Sequence, residues 1–226
     1  QTLIGVSLIT SLSAATTFSV TGDFNDADNW DSGLPTNANG PGIITGDATM
    51  SDSYLMLNNS NPSVTDIIIN GTLTTNDNEL QSRSGGISAT PDIFVGAGTG
   101  NSGILNVSSG GTIDLAGAAT LLYIGSSTTD FSGDGYGVVN FFSGSAYQIQ
   151  KGFIVNNGIL NFETGVTMSS QPQDEADIGA NGTLQFSGLS SGNASTLTLQ
   201  DNLDVAAGAT PRLDFLSAVA GETYPP

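Results

Sequence analysis

A five-residue pattern of glycine, apolar, apolar, polar and apolar positions recurs along the chain, with threonine in some of the apolar places. Its five copies are GTLTT from Gly71, GILNV from Gly103, GVVNF from Gly137, GILNF from Gly158 and GTLQF from Gly182. Successive copies begin 32, 34, 21 and 24 residues apart. Alternating apolar and polar residues are typical of a β-strand that is buried on one side. Each copy therefore predicts a short strand.

A short strand precedes each copy, and another short strand follows every copy except the first. The preceding strands end at a turn and are DIIIN (66–70), DIFVG (92–96), LLYIG (121–125), GFIVN (152–156), ADIGA (176–180) and NLDVA (202–206). The following strands are GTIDL (111–115), AYQIQ (146–150), GVTMS (165–169) and STLTL (195–199). Each unit thus alternates three strands with two turns, and no segment sustains the 3.6-residue apolar period of a helix.

Repeat units of this length, built from short strands and glycine turns, indicate a solenoid. One unit cannot bury its own apolar side, whereas units stacked about 4.8 Å apart can. The sequence predicts an all-β, single-stranded, right-handed parallel β-helix of about five or six coils over residues 51–215. The alternative is a β-sandwich of similar short strands, which explains the alternation but not the aligned repeats.

Strict alternation assigns the side chains of the repeated strand to the inside or the outside. The inward columns are Leu73, Leu105, Val139, Leu160 and Leu184, and then Val107, Phe141, Phe162 and Phe186. A polar column between them is predicted to face outward and contains Asn106, Asn140, Asn161 and Gln185, with Thr74 first. These amides either hydrogen-bond from coil to coil and hold the register, which the pattern favours, or form a flat polar strip that binds a surface or a glycan.

The two ends of the chain differ from the repeats. The apolar run LIGVSLITSLSAA (Leu3–Ala15) resembles part of a secretory signal peptide and is too short to span a bilayer. Its alternative is a first buried strand, so residues 1–15 are set aside as a signal-like remnant. Residues 16–50 are predicted to be an N-terminal capping segment, and residues 216–226 a C-terminal tail that stops as if truncated.

Charge and composition exclude several classes of partner. The chain has 3 Lys and Arg residues against 21 Asp and Glu, for a formal net charge of −18. We therefore expect neither nucleic-acid binding, which requires cations to displace counterions from phosphates, nor docking on anionic lipid or insertion into a membrane. The chain contains no histidine and no cysteine, which excludes a Ser-His-Asp triad and thiolate metal sites.

Three segments resemble one group of proteins. VGAGTGNSGILNVSSGGTI (Val95–Ile113) resembles the repeats of bacterial autotransporter passengers and of secreted proteins with PEP-CTERM sorting tails. FNDADNWDSGLPTNANGPGIITGDATM (Phe24–Met50) resembles the segment that leads into their helical domain, and LDFLSAVAGETY (Leu213–Tyr224) the segment that closes it. No PEP motif with an anchoring helix follows, so the anchoring mode stays open.

This resemblance implies a bacterial protein that is secreted or displayed on the cell surface. The predicted function is structural or adhesive, without catalysis, through many weak polar contacts to an extracellular glycan or another cell-surface component. Self-association is a further expected partner interaction.

The alternative function is that of a carbohydrate-active enzyme, because polysaccharide lyases and glycoside hydrolases also use β-helices. By analogy with lyases of this shape, a basic residue would abstract the proton, and the candidates are Arg83, Lys151 and Arg212. A hydrolase needs paired carboxylates, and the densest acidic group in the repeats contains Asp174, Glu175 and Asp177.

Calcium is the only cofactor hypothesis that the sequence offers. The capping segment places oxygen-bearing side chains close together at Asp23, Asn25, Asp26, Asp28 and Asp31. Calcium takes six to eight oxygen ligands, although the spacing here does not fit an EF-hand. The alternative is a turn region rich in Asp and Asn that begins the first coil and packs Trp30 over its open end.

Overall fold

The computed structural model describes residues 15–36, 40–56, 66–82, 91–115, 120–126, 135–149, 151–168, 175–189, 197, 199 and 203–215. These residues form β-strands and one short 3-10 turn at Ala27–Asn29. Every pairing between the strands is parallel. The chain is therefore an all-β parallel β-helix, and the sandwich is excluded because its sheets would be antiparallel.

Each coil, called a tier below, contributes a strand to each of up to three faces. The first face consists of β1 (Thr16–Phe18), β3 (Gly42–Ile44), β6 (Ile67–Ile69), β9 (Ile93–Val95), β12 (Leu121–Ile124), the first parts of β15 (Gly152–Glu163) and β17 (Glu175–Leu189), and β18 (Asp204–Val205). The second face consists of β2 (Thr21–Asp23), β4 (Asp47–Thr49), β7 (Thr72–Thr74), β10 (Ser102–Val107), β13 (Tyr136–Phe141), the second parts of β15 and β17, and β19 (Thr210–Phe215).

The third face is a separate five-stranded sheet. Its strands are β5 (Tyr54–Leu55), β8 (Glu79–Gln81), β11 (Thr112–Leu115), β14 (Ala146–Ile149) and β16 (Thr167–Met168). The first and second faces belong to one 14-stranded sheet, because β15 and β17 run through both. A register shift between Val155 and Asn157 marks the corner within β15.

The register of the second face matches the sequence repeat residue for residue. Gly137 lies opposite Gly158, which lies opposite Gly182 in the next tier. Leu73 pairs with Leu105, and the Leu and Phe columns continue through the later tiers in the predicted order. Equivalent positions in successive copies of the repeat are therefore direct neighbours in successive tiers.

Close approach of the backbone explains why each copy of the repeat begins with glycine. A Cβ atom built on Gly103 would lie 1.8 Å from the carbonyl oxygen of Ile69 in the tier below. At Gly158 the same atom would lie 1.8 Å from the carbonyl oxygen of Gly137. No side chain fits at these corners, since such distances are far below van der Waals contact.

The interior is apolar and aromatic. The Phe column stacks Phe141 on Phe162 at 5.1 Å between ring centroids, and Phe162 on Phe186 at 5.9 Å. Tyr147 of the third face packs edge-on against Phe141 and Phe162. Apolar burial on all three faces supplies the main driving force for stacking the tiers.

The described helix has eight tiers on its first face, against the five or six predicted. Two of the additional tiers come from residues 16–50, which we expected only to cap the helix: β1 pairs with β3, and β2 with β4, in the same parallel ladders. The last tier among the described residues consists of β18 and β19. Residues 1–14 of the predicted remnant at 1–15 and the predicted tail at 216–226 lie outside the described residues.

The two ends of the described helix are finished differently. At the first tier, Phe18 is fully buried and forms an antiparallel bridge with Trp30. At the last tier, Val205 continues the inward column of Ile178 but is 52% exposed, whereas Ile178 is 3% exposed. The core is thus closed at its first tier and open at its last described one.

Candidate binding face

Three asparagines on the second face form a hydrogen-bonded ladder along the helix. Asn140 Nδ2 donates to Asn106 Oδ1 at 3.1 Å, and Asn161 Nδ2 donates to Asn140 Oδ1 at 3.4 Å. Gln185 lies opposite Asn161 in the next tier. The stacking of Asn106, Asn140 and Asn161 predicted from the repeat is therefore confirmed.

The ladder leaves hydrogen-bonding capacity on the outside of the helix. A side-chain amide has two N–H donors and two acceptor lone pairs, so the coil-to-coil bonds of Asn140 use half of its capacity. Asn106 and Asn140 are half-buried, whereas Asn161 is only 8% exposed and also accepts a hydrogen bond from Ser187 Oγ at 2.8 Å. The column therefore faces solvent less uniformly than strict alternation predicts.

Trp30 covers the first tier. It is 4% exposed, and its ring meets Phe18 at 5.3 Å and Phe24 at 5.2 Å in edge-to-face contacts. Its indole Nε1 donates to the carbonyl oxygen of Phe24 at 2.9 Å. The predicted end cap at Trp30 is confirmed, and it shields an edge that would otherwise be open to other strands.

Two of the residues proposed for calcium connect the cap to the next tier. Asp23 Oδ2 accepts a hydrogen bond from Ser51 Oγ at 2.6 Å, and its Oδ1 accepts one from the Asn25 backbone at 3.0 Å. Asn25 Oδ1 in turn accepts from the backbone N–H groups of Ser51 and Asp52, both at 3.1 Å. The hydrogen bond from Ser51 is the main cause that lowers the pKa of Asp23 below its ordinary value.

The other three proposed calcium residues lie in the 3-10 turn and its flanks. Asp26 Oδ1 accepts from the Asp28 backbone at 3.0 Å and caps the turn. Asp31 Oδ1 accepts from the Thr17 backbone at 2.8 Å, and this bond is the main cause that lowers the pKa of Asp31.

Within the described ranges, no three acidic, His or Cys side chains are grouped so as to hold a metal ion. The contacts of the capping segment are those of a hydrogen-bonded cap, and calcium binding there stays a prediction.

Three residues of the enzyme alternative, Lys151, Glu175 and Asp177, lie on or next to neighbouring strands of the first face. Lys151 directly precedes β15, whose first residue Gly152 lies opposite Glu175, the first residue of β17. Asp177 lies opposite Ile154 on one side and Asp204 on the other. Asp174 and Arg83 lie outside the described residues, and Arg212 is exposed on the second face opposite Gln185.

Sequence reasoning missed two arrangements of aspartates. Asp66 Oδ1 accepts from the Asp92 backbone at 3.0 Å, and Asp92 Oδ1 accepts from the Leu121 backbone at 2.8 Å, so these residues join the starts of successive first-face strands. Burial raises the pKa of Asp66. The pairing of Asp177 with Asp204 was also missed, although placing NLDVA above EADIG aligns the two carboxylates.

The comparisons with known proteins give no relative from which a function can be inferred. No protein-family model matches the chain, and searches of curated proteins and of solved structures also return no match. In the part of the chain that the structure describes, none of the helical structure is both long and apolar enough to cross a bilayer.

Proposed function

We propose that this chain is a secreted or surface-displayed structural and adhesive β-helix that binds a glycan or another cell-surface component through its second face, without catalysis. The resemblance to bacterial autotransporter passengers and PEP-CTERM-associated proteins supports the extracellular location. The observation that carries the proposal is the Asn106–Asn140–Asn161 ladder, which repeats one polar group on consecutive tiers of the second face. Repetition lets many weak contacts act together.

The residues beside the ladder provide the test. Thr72 and Thr183 are half-buried on the outer side of the second face, and Thr112 and Thr167 lie on the third face. We expect the double variant Thr72→Lys, Thr183→Lys to lose about tenfold or more in binding to glycan arrays and bacterial cell surfaces, because two long side chains keep a flat partner away. Thr112→Lys with Thr167→Lys carries the same charge change and is expected to bind normally.

Two results would contradict the proposal. Equal binding by both double variants would show that the second face is not the adhesive surface. Release of oligosaccharides from a polysaccharide, abolished by Asp177→Asn or Lys151→Met, would instead establish the carbohydrate-active enzyme.

A further inference from the structure

An open groove of about 500 Å³ lies over the last three tiers of the first face. Its lining includes Ile154, Asn156, Asp177, Gly179, Asp204 and Ala206. Its volume falls within the range of about 300–1,000 Å³ that is usual for sites of organic ligands. The groove is therefore large enough for a sugar unit and is separate from the Asn ladder of the second face.

Two polar groups of this groove, Asp177 and Asp204, are aligned with the helix axis, whereas Asn156 lies at the register shift of β15. Asp177 and Asp204 are direct neighbours on adjacent parallel strands, which places their backbones about 4.8 Å apart. Asn156 Nδ2 donates to the carbonyl oxygen of Gly125 at 3.3 Å, which fixes the orientation of this amide. A Cβ atom on Gly179 would lie 3.0 Å from Asn156 Oδ1, so glycine keeps this part of the groove open.

Charge restricts the class of ligand. No Lys or Arg is among the described residues that line the groove, and the whole chain carries a formal charge of −18. A uronate or sulfated glycan would be repelled, whereas ammonium groups would be attracted. A bare calcium ion fits poorly, because two carboxylates fall short of the six to eight oxygens that it takes.

We propose that the groove binds a linear amino-sugar chain lying along the helix axis, with its ammonium groups at Asp177 and Asp204 and its hydroxyl groups at Asn156. The exposed side chain of Ala206 contacts the C–H face of the sugar, and Ile154, which is 4% exposed, forms the floor of the groove. The choice of a glycan as the carrier of the ammonium groups rests on the proposed adhesive function. The site itself is independent of the second face.

The test is calorimetric titration of the whole chain with a glucosamine hexamer at pH 6 and low salt. We expect Asp177→Asn with Asp204→Asn to weaken binding at least about tenfold, because two charge-assisted contacts are lost. Asp204→Asn alone provides a milder variant at an exposed position. Asp47→Asn with Asp52→Asn removes the same charge from exposed positions elsewhere and is expected to change binding less than about twofold.

Three outcomes would overturn the inference. They are equal affinity for the N-acetylated hexamer, unchanged binding by the Asp177→Asn, Asp204→Asn variant, and displacement of the hexamer by calcium but not by sodium at equal ionic strength. The second-face variants separate this result from the proposed function. If the Thr72→Lys, Thr183→Lys variant loses cell-surface binding but binds the hexamer normally, both sites are supported. If the hexamer does not bind although cell-surface binding depends on the second face, only the groove proposal is contradicted.

Discussion

Single glycines at the corner between the first and second faces set how closely the tiers can stack. Gly103 has no room for a side chain, because the carbonyl oxygen of Ile69 lies where its Cβ would be. Gly100 is the natural comparison, since it has a φ of +76° but nothing within 4 Å of an added Cβ. The two positions therefore separate crowding from backbone conformation.

We expect Gly103→Ala to lower the free energy of unfolding by about 2–3 kcal/mol, because the tiers must move apart to admit a methyl group. Gly100→Ala is expected to cost about 1 kcal/mol, the penalty for a left-handed non-glycine residue. Urea denaturation followed by circular dichroism measures both. Equal losses would mean that conformation rather than close approach accounts for the repeated glycine.

Adjacent residues 161 and 162 test the assignment of inside and outside. Phe162→Asp buries an unpaired charge between two aromatic rings, and we expect a loss of at least about 4 kcal/mol. Asn161→Asp replaces an N–H donor with an oxygen facing Asn140 Oδ1, and we expect a loss of about 1–3 kcal/mol. Denaturant unfolding measures the two losses in free energy, and Asn181→Asp at an exposed position is the control for the added charge. An Asn161→Asp loss as large as that of Phe162→Asp would contradict this order.

The columns of the second face were predictable because β-alternation has a period of two and the glycine positions fixed the alignment. The near-complete burial of Asn161 was not predictable from the sequence. It depends on how the side chains above and below, among them Ser187, close over that position, and alternation along one strand carries no information about neighbouring tiers.

At the scale of the element, the segment around Trp30 acts as the lid of the core. We expect Trp30→Ala to cost about 3–5 kcal/mol, because Phe18 and Phe24 lose their cover, and to increase light scattering on mild heating. Trp30→Phe keeps most of the packing but loses the bond to the Phe24 carbonyl, and should cost about 1–2 kcal/mol. Thermal unfolding with static light scattering measures both. A neutral Trp30→Ala would show that the first tier needs no cap.

The cap should also loosen in acid. The carboxylates of Asp23 and Asp31 have lowered pKa values because they accept hydrogen bonds in the folded state. Their stabilisation is present above the ordinary aspartate pKa of about 3.9 and is lost as the pH falls through the lowered values. Trp30 is the sole tryptophan, so its emission should shift to the red below about pH 4. In Asp23→Asn, Asp31→Asn we expect a flatter titration, and an unchanged curve would assign the transition to other groups.

The first two tiers escaped prediction because their apolar signal is weak. GDATM (Gly46–Met50) follows the repeat, but Ala48 occupies the column that Leu73 continues. A small residue fits there because the large rings of the cap fill the end of the core. The sequence of one strand does not show such compensation by residues distant in the chain.

At the scale of the whole molecule, the charge of −18 opposes compact folding. Only 3 residues are Lys or Arg, so most repulsion between carboxylates is not balanced locally. We expect sodium chloride to stabilise the protein by screening, and a gain of about 1 kcal/mol would raise Tm by about 2–4 °C. Calorimetry at 20 mM and 300 mM salt measures the shift, and a fall in Tm would mean that attractive ion pairs dominate. Calcium at matched ionic strength tests the predicted metal site in the same experiment.

The contrast between the buried Phe18 and the exposed Val205 gives the rod a polarity. Each tier contacts mainly its immediate neighbours, so order spreads from tier to tier as in a one-dimensional array. Fraying at the Val205 end releases a side chain that is already half exposed, whereas opening the other end exposes the buried rings of Phe18 and Trp30. Among the described tiers, we therefore expect unfolding to proceed tier by tier from β18 and β19 toward β1. Refolding should proceed in the opposite direction, because the tiers preserved at the capped end serve as its template.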